Sequence, residues 1–127
     1  MFVIGKRLAF SASHIITGVP AGHPCARLHG HNYEVELVAA AGGLDEAGFV
    51  HDYHEFDVVF DYVRRTLDHR HLNDVLPGPA SAEALAAWLY ERSKELLPPE
   101  VAACLWAVRV SETPRTWAEY RPGTTQR

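Results

Sequence analysis

Only two cysteines, Cys25 and Cys104, occur in 127 residues, so no disulfide framework holds this chain together. No apolar run approaches the ~20 residues of a membrane-spanning helix. The first residues, Met1 to Arg7, lack the long apolar core of a secretory signal. There is no basic surplus either. Twelve Lys and Arg stand against 16 Asp and Glu, a formal net charge of −4, with both signs mixed along the chain. That balance argues against a general nucleic-acid binder, which carries a basic face. No internal repeat and no domain-separating linker is visible. These absences lead to the expectation of a cytoplasmic protein of one domain, residues 1–127, without nucleic-acid or membrane partners. What is present is 47% hydrophobic residues, enough for one core at this length.

Phe2 to Ser13 reads as a first strand, and Ile15 to Leu28, with Gly18, Pro20, Gly22 and Pro24, as a loop. From His31 to Ala40 the chain alternates. Tyr33, Val35 and Leu37 share one side, and Asn32, Glu34 and Glu36 the other, the pattern of a half-buried antiparallel strand. Ala41 to Asp45 turns the chain, and Phe49-Val50-His51 reads as a short extended piece. Asp52 is a good N-cap, with Glu55 placed as a capping-box partner. Phe56, Val59, Phe60, Val63 and Leu67 then follow at helical spacing. Ser81 caps a second helix with Leu85, Trp88, Leu89, Arg92 and Leu96, closed by Pro98-Pro99. Leu105 to Val110 and Trp117 to Tyr120 read as strands, and Cys104 as a core residue. Two strands, two helices and two strands predict an α+β fold, a sheet with both helices on one face. The sheet's outer edges are then free to pair with other subunits.

Eight histidines are dispersed through the chain: His14, His23, His29, His31, His51, His54, His69 and His71. In a strand, residues i and i+2 point to one side, so His29 and His31 can present two imidazoles to one ion. His14 would supply a third. Three histidines without a fourth protein ligand form a catalytic zinc pattern, whose open position admits water or substrate. A His-x-His pair alone is more often a pair of ordinary surface or half-buried histidines than a metal site; His14 and the nearby cysteine bring the two readings level. Cys25, four residues before His29, is a candidate nucleophile or base.

Two further places carry chemistry and each has a plain structural alternative. In Leu67-Asp68-His69-Arg70-His71, a carboxylate beside an imidazole can fix its tautomer; alternatively Asp68 and Asp74 cap helix ends and turns, and His69 or His71 meets a helix C-terminus. Glu112, at the end of an apolar strand, is either an exposed strand-end carboxylate or one that accepts two parallel hydrogen bonds from a guanidine-like edge.

Together these pieces resemble the 6-pyruvoyltetrahydropterin synthase and 6-carboxytetrahydropterin synthase superfamily. The matching residues are Phe10-Ser11-Ala12-Ser13-His14, Cys25 through His31 with Asn32-Tyr33, Leu67-Asp68-His69, Leu72-Asn73 and Glu112-Thr113, in the family's order across most of the chain. The spacing of Cys25 from His29-Gly30-His31 resembles the bacterial carboxytetrahydropterin synthase branch. The resemblance implies the tunnelling fold: a four-stranded antiparallel sheet with two helices on one face, three subunits closing a twelve-stranded barrel, and trimers stacking to hexamers. It implies Zn²⁺ on His14, His29 and His31, Cys25 as catalytic base, and Asp68 with His69 as an acid–base pair donated across a subunit boundary. It implies Glu112 as the pterin anchor and 7,8-dihydroneopterin triphosphate as substrate. Two products remain open: 6-carboxytetrahydropterin, with loss of triphosphate and acetaldehyde, or 6-pyruvoyltetrahydropterin, with the carbon chain intact. A non-catalytic zinc- or pterin-binding homologue is the third possibility, and it would need no Cys25, Asp68 or His69. Pro114-Arg115-Thr116 and Val50-His51-Asp52-Tyr53 depart from the family's usual residues. Because the substrate is anionic and the chain acidic, local positive charge is expected near the metal motif, with Lys6, Arg7 and Arg27 as candidates by chain proximity.

Overall fold

The computed structural model describes residues 1–123. Two 13-residue strands, β1 (Phe2–His14) and β2 (His29–Ala41), form its backbone, paired antiparallel along their whole length from Phe2↔Ala41 to His14↔His29. The helical section follows, with α1 (Asp57–Thr66), a two-residue β3 (Arg70–His71), α2 (Leu72–Val75), α3 (Ala82–Leu96) and α4 (Pro99–Ala102). The chain then closes the sheet with β4 (Leu105–Thr113) and β5 (Thr116–Tyr120). Strand order is β3-β1-β2-β4-β5.

The alternation along β2 sorts its residues as its sequence predicts. Tyr33, Val35 and Leu37 are fully buried, and with Phe10 of β1 and Val108 and Val110 of β4 they form one core face. Val59, Phe60 and Val63 of α1, with Leu85 and Leu89 of α3, close over it. At about 1.5–3 kcal/mol for each large apolar side chain removed from water, this layer is the main source of stability. Phe10 stacks on Tyr33 with ring centroids 5.1 Å apart. Ser81 caps α3 through Oγ, which accepts the Ala84 amide at 3.1 Å. Cys104 is half-buried against the core.

The opposite, helix-free face is polar and its charges are paired. Arg7 bonds Glu36 at 3.0 Å, Arg109 bonds Glu119 at 2.7 Å, and Arg121 lies 3.7 Å from Glu119. The same pattern of i, i+2 alternation therefore produces a dry face under the helices and a charged face opposite.

Four details correct the sequence-based expectation. Among the described residues the sheet has five strands rather than four, and it is mixed, because β3 pairs parallel to β1 through Ala12↔Arg70 and Ser13↔His71. Among the described residues four α-helices form rather than two; Pro99, read as a terminator, opens α4, where its missing N–H costs nothing at a first helical position. Phe49-Val50-His51 is not a strand. Asp45 Oδ1 accepts the amides of Ala47 and Phe49, both at 2.9 Å, and folds that segment into a tight loop. Asp52 caps a 3₁₀ turn, Tyr53–Phe56, by accepting the His54 amide at 2.9 Å, and α1 begins only at Asp57.

Candidate active site

The strand pairing alone brings three imidazoles together. His14 ends β1 and faces His29, the first residue of β2; His31 lies two residues further on the same side. Ring centroids are 4.5 Å apart for His14 and His29, 5.0 Å for His14 and His31, and 4.9 Å for His29 and His31. One nitrogen from each lies within 4.8 Å of the others. Gly30 between them pairs with Ser13, and a Cβ there would meet the Ala12 carbonyl at 3.3 Å, so a small residue suits this crossing.

The surroundings fix how two of these rings are presented. His14 Nδ1 lies 2.7 Å from the Ala80 carbonyl, and His29 Nδ1 lies 2.7 Å from the Arg27 carbonyl. A carbonyl only accepts, so each Nδ1 carries the proton and each neutral ring turns its Nε2 lone pair inward. Those two Nε2 atoms are 2.9 Å apart. Two lone pairs at that distance repel unless a positive charge is shared between them. Orientation of ligating imidazoles by Nδ1–H bonds to carbonyls is the usual outer support of metal sites. The donor set therefore fits a nitrogen-liking divalent ion such as Zn²⁺, with three protein ligands. His14 is almost wholly buried, and its Nδ1 also lies 3.2 Å from the Tyr33 hydroxyl. Burial lowers the His31 pKa; Glu112 opposes this, and His14 and His29 add to it, so the ligand-competent neutral form is favoured. Burial, with Glu112 nearby, pushes the Tyr33 phenol far above its ordinary range.

Glu112, on β4, joins this group. Its Oε2 is 3.6 Å from His14 Nε2 and 4.0 Å from His31 Nε2. Cys25 lies in a 3₁₀ turn, Pro24–Ala26, with its thiol half-buried. The turn is tethered at both faces of the Cys25 peptide: its carbonyl accepts the Ile16 amide at 2.9 Å, and its amide donates to His23 Nδ1 at 3.0 Å. The loop thus folds back alongside the end of β1, two residues from His14.

Asp68 and His69 occupy the other flank of β1. Asp68 Oδ1 accepts the Ser11 amide at 3.0 Å, and the His69 amide donates to the Ser11 carbonyl at 2.6 Å. His69 has φ of 59°, a left-handed conformation that is uncommon for a residue with a side chain and is found at functional sites. Its Nε2 is 3.7 Å from Asp68 Oδ2, beyond hydrogen-bond distance, and its side chain is 82% exposed. His31 and His69 line a common concavity, whereas Cys25 and Glu112 do not line it.

Asn73 and Tyr33 hold the site in ways the sequence did not announce. The Asn73 amide accepts from Ile15 N and donates to Ile15 O, both at 2.9 Å, clamping the backbone next to His14. Lys6 and Arg7, expected near an anionic ligand, are instead bound to Asp57 at 2.8 Å and Glu36 at 3.0 Å.

Comparison with known proteins gives a consistent answer. The profile of the family described as 6-pyruvoyl tetrahydropterin synthase matches residues 3–123. The 6-carboxy-5,6,7,8-tetrahydropterin synthase of Bacillus subtilis is 33% identical over 132 aligned positions, covering 95% of this chain and 86% of the relative. Dihydroneopterin monophosphate aldolase of Pyrococcus furiosus is 34% identical over 95, covering 75% of this chain and 77% of the relative. Among solved structures, 6-pyruvoyl tetrahydropterin synthase of Caenorhabditis elegans superposes with a TM-score of 0.84 at 21% identity, covering 96% of each chain. The sheet and its helical layer thus have their counterpart in a solved structure, and by its sequence the chain belongs to the 6-pyruvoyl tetrahydropterin synthase family of lyases.

Proposed function

We propose that this chain is a zinc-dependent 6-carboxy-5,6,7,8-tetrahydropterin synthase, residues 1–127 acting as one cytoplasmic unit, that converts 7,8-dihydroneopterin triphosphate with release of triphosphate and acetaldehyde. The observation that carries this reading is the convergence of His14 and His29 lone pairs beside His31, with Glu112 at 3.6 Å, in a chain of this family. The product is taken from the Bacillus subtilis relative, whose similarity runs over nearly the whole chain.

His14, His29 and His31 would hold Zn²⁺, which when bound acts as a Lewis acid toward the substrate's side-chain oxygens. Cys25, as thiolate, takes a proton from the substrate side chain. His69 moves a second proton, with Asp68 fixing the segment that presents it. Asp68 does this through its bond to Ser11 N rather than by a direct bond to the ring. Glu112 accepts two parallel hydrogen bonds from the pterin's guanidine-like edge and sets the ring's distance from the other groups. The reaction separates two products: 6-carboxytetrahydropterin with one equivalent of acetaldehyde, or 6-pyruvoyltetrahydropterin with none. Trapping acetaldehyde after incubation of the zinc-loaded protein with 7,8-dihydroneopterin triphosphate is expected to yield one equivalent per triphosphate released. Triphosphate release without acetaldehyde would move the assignment to the pyruvoyl-forming reaction.

The active unit is proposed to be a trimer or hexamer with sites between subunits. Two features support this. Among the described residues β5 pairs on one side only, and the His69 side chain is 82% exposed. Sedimentation at micromolar concentration is expected to give three or six times the 14.1 kDa chain mass; a monomer alone would contradict it.

A further inference from the structure

Where β1, β2 and β3 meet lies a concavity of about 510 Å³, lined by Ser11, Ser13, Asn32, His69, Arg70 and His71, together with His31. None of its lining residues is acidic, on a chain of net charge −4. We infer that this concavity is the subsite for the substrate's phosphate chain, with Arg70, His71 and Ser13 as its main donors. The inference rests on the proposed substrate class and names where its anionic part binds.

Three observations carry it. First, an unpaired cation lines the concavity. Lys6, Arg7, Arg64, Arg92, Arg109 and Arg121 each pair with a carboxylate. Arg27, Arg65, Arg70, Lys94 and Arg115 make no ion pair among the described residues, and of these Arg70 is the one that lines the concavity, its guanidinium 3.5 Å from the Arg65 carbonyl. A guanidinium left free at the wall of an acid-free cavity is suited to a planar, two-pronged contact with phosphate oxygens.

Second, the neutral donors are pre-set. Ser13 Oγ lies 2.9 Å from His71 Nδ1. With the ring proton on Nδ1, His71 donates to Ser13 Oγ and frees the hydroxyl hydrogen for the ligand. Ser11 Oγ donates to Asn32 Oδ1 at 2.8 Å, which turns the Asn32 NH₂ group outward as a donor.

Third, the segment is rigidly placed. The Arg70 and His71 backbones are in register with Ala12 and Ser13. The His69 amide and the Asp68 carboxylate are both tied to Ser11. His31 belongs both to the cavity wall and to the histidine cluster, so an ester held at the cluster can extend its phosphates into the concavity. The Pyrococcus furiosus relative bears the name dihydroneopterin monophosphate aldolase, which names a phosphate-bearing pterin.

The test uses zinc-loaded full-length protein and inorganic tripolyphosphate in titration calorimetry. Wild type is expected to bind it. Arg70→Ala is expected to weaken binding roughly tenfold or more, the loss of a charge-assisted contact, with partial recovery in Arg70→Lys. Neopterin, which carries no phosphate, is expected to bind wild type and Arg70→Ala equally. Equal tripolyphosphate affinity in wild type and Arg70→Ala, or none in wild type, overturns the subsite. Failure of neopterin to bind wild type overturns the pterin reading instead; tripolyphosphate binding that still depends on Arg70 would leave the anion subsite standing. Arg70 is exposed, and unchanged circular dichroism of the variants checks that folding is not the cause.

Discussion

Alanine at His29 is expected to strip zinc from the protein and abolish turnover while leaving the fold in place. The metal proposal depends on three converging nitrogens, and His29 provides the one that meets His14 Nε2 at 2.9 Å. Removing a ligand itself should cost more affinity than the roughly 10–100-fold lost when an outer partner is removed. The strand pairing does not depend on the ring, since His14↔His29 is a backbone register and alanine keeps the Cβ. Elemental analysis after dialysis should find about one zinc per chain in wild type and little in the variant. Undiminished zinc in His29→Ala would remove the cluster from the account. Zinc retention should also fall as pH falls, because protons compete for the same nitrogens. The lowered pKa of His31 lets that ligand stay unprotonated further into acid than an exposed histidine would.

Cys25→Ala should do the opposite: zinc and assembly are kept and catalysis is lost. The thiol sits in a 3₁₀ turn held through the Cys25 peptide, its carbonyl accepting the Ile16 amide and its amide donating to His23 Nδ1. Neither bond involves sulfur, so the turn should survive and stability should change by about 0.5 kcal/mol or less. Loss of a positioned base costs typically 10²–10⁴ in rate. Steady-state kinetics should therefore show a collapse of kcat with pterin binding intact. Glu112→Ala should show weakened pterin binding instead, measured by titration with neopterin. Near-normal product formation by Cys25→Ala would pass the role of base to His69.

The parts of this protein that could be read from sequence are those whose signal is local. Tyr33, Val35 and Leu37 declare a half-buried strand because period-two alternation is a property of the segment itself. Ser81 announces α3 for the same reason, its hydroxyl reaching only three residues along the chain. The three-histidine cluster was legible because strand alternation places His29 and His31 on one side, and β1 pairing with β2 brings His14 opposite. What escaped reading is non-local. The two residues of β3 have no periodicity, and their partner is β1, 58 positions away at Ala12↔Arg70 and Ser13↔His71. The carbonyls of Ala80 and Arg27 that fix the imidazole tautomers are backbone groups, and backbone groups leave no trace in a sequence. Phe49-Val50-His51 looked extended because its residues suit a strand, but the Asp45 carboxylate captures the local amides first. Lys6 and Arg7 looked available to an anion because chain proximity ignores the carboxylates that fold against them.

The central claim is that the histidine cluster holds the zinc on which pterin-ester cleavage depends. Its most direct test is triphosphate release from 7,8-dihydroneopterin triphosphate, followed by mass spectrometry, in matched samples of zinc-loaded, chelator-treated and zinc-restored protein. The account predicts turnover in the first, its loss in the second and its return in the third. Equal rates in the loaded and chelated samples, or no cleavage in any of them, would contradict it.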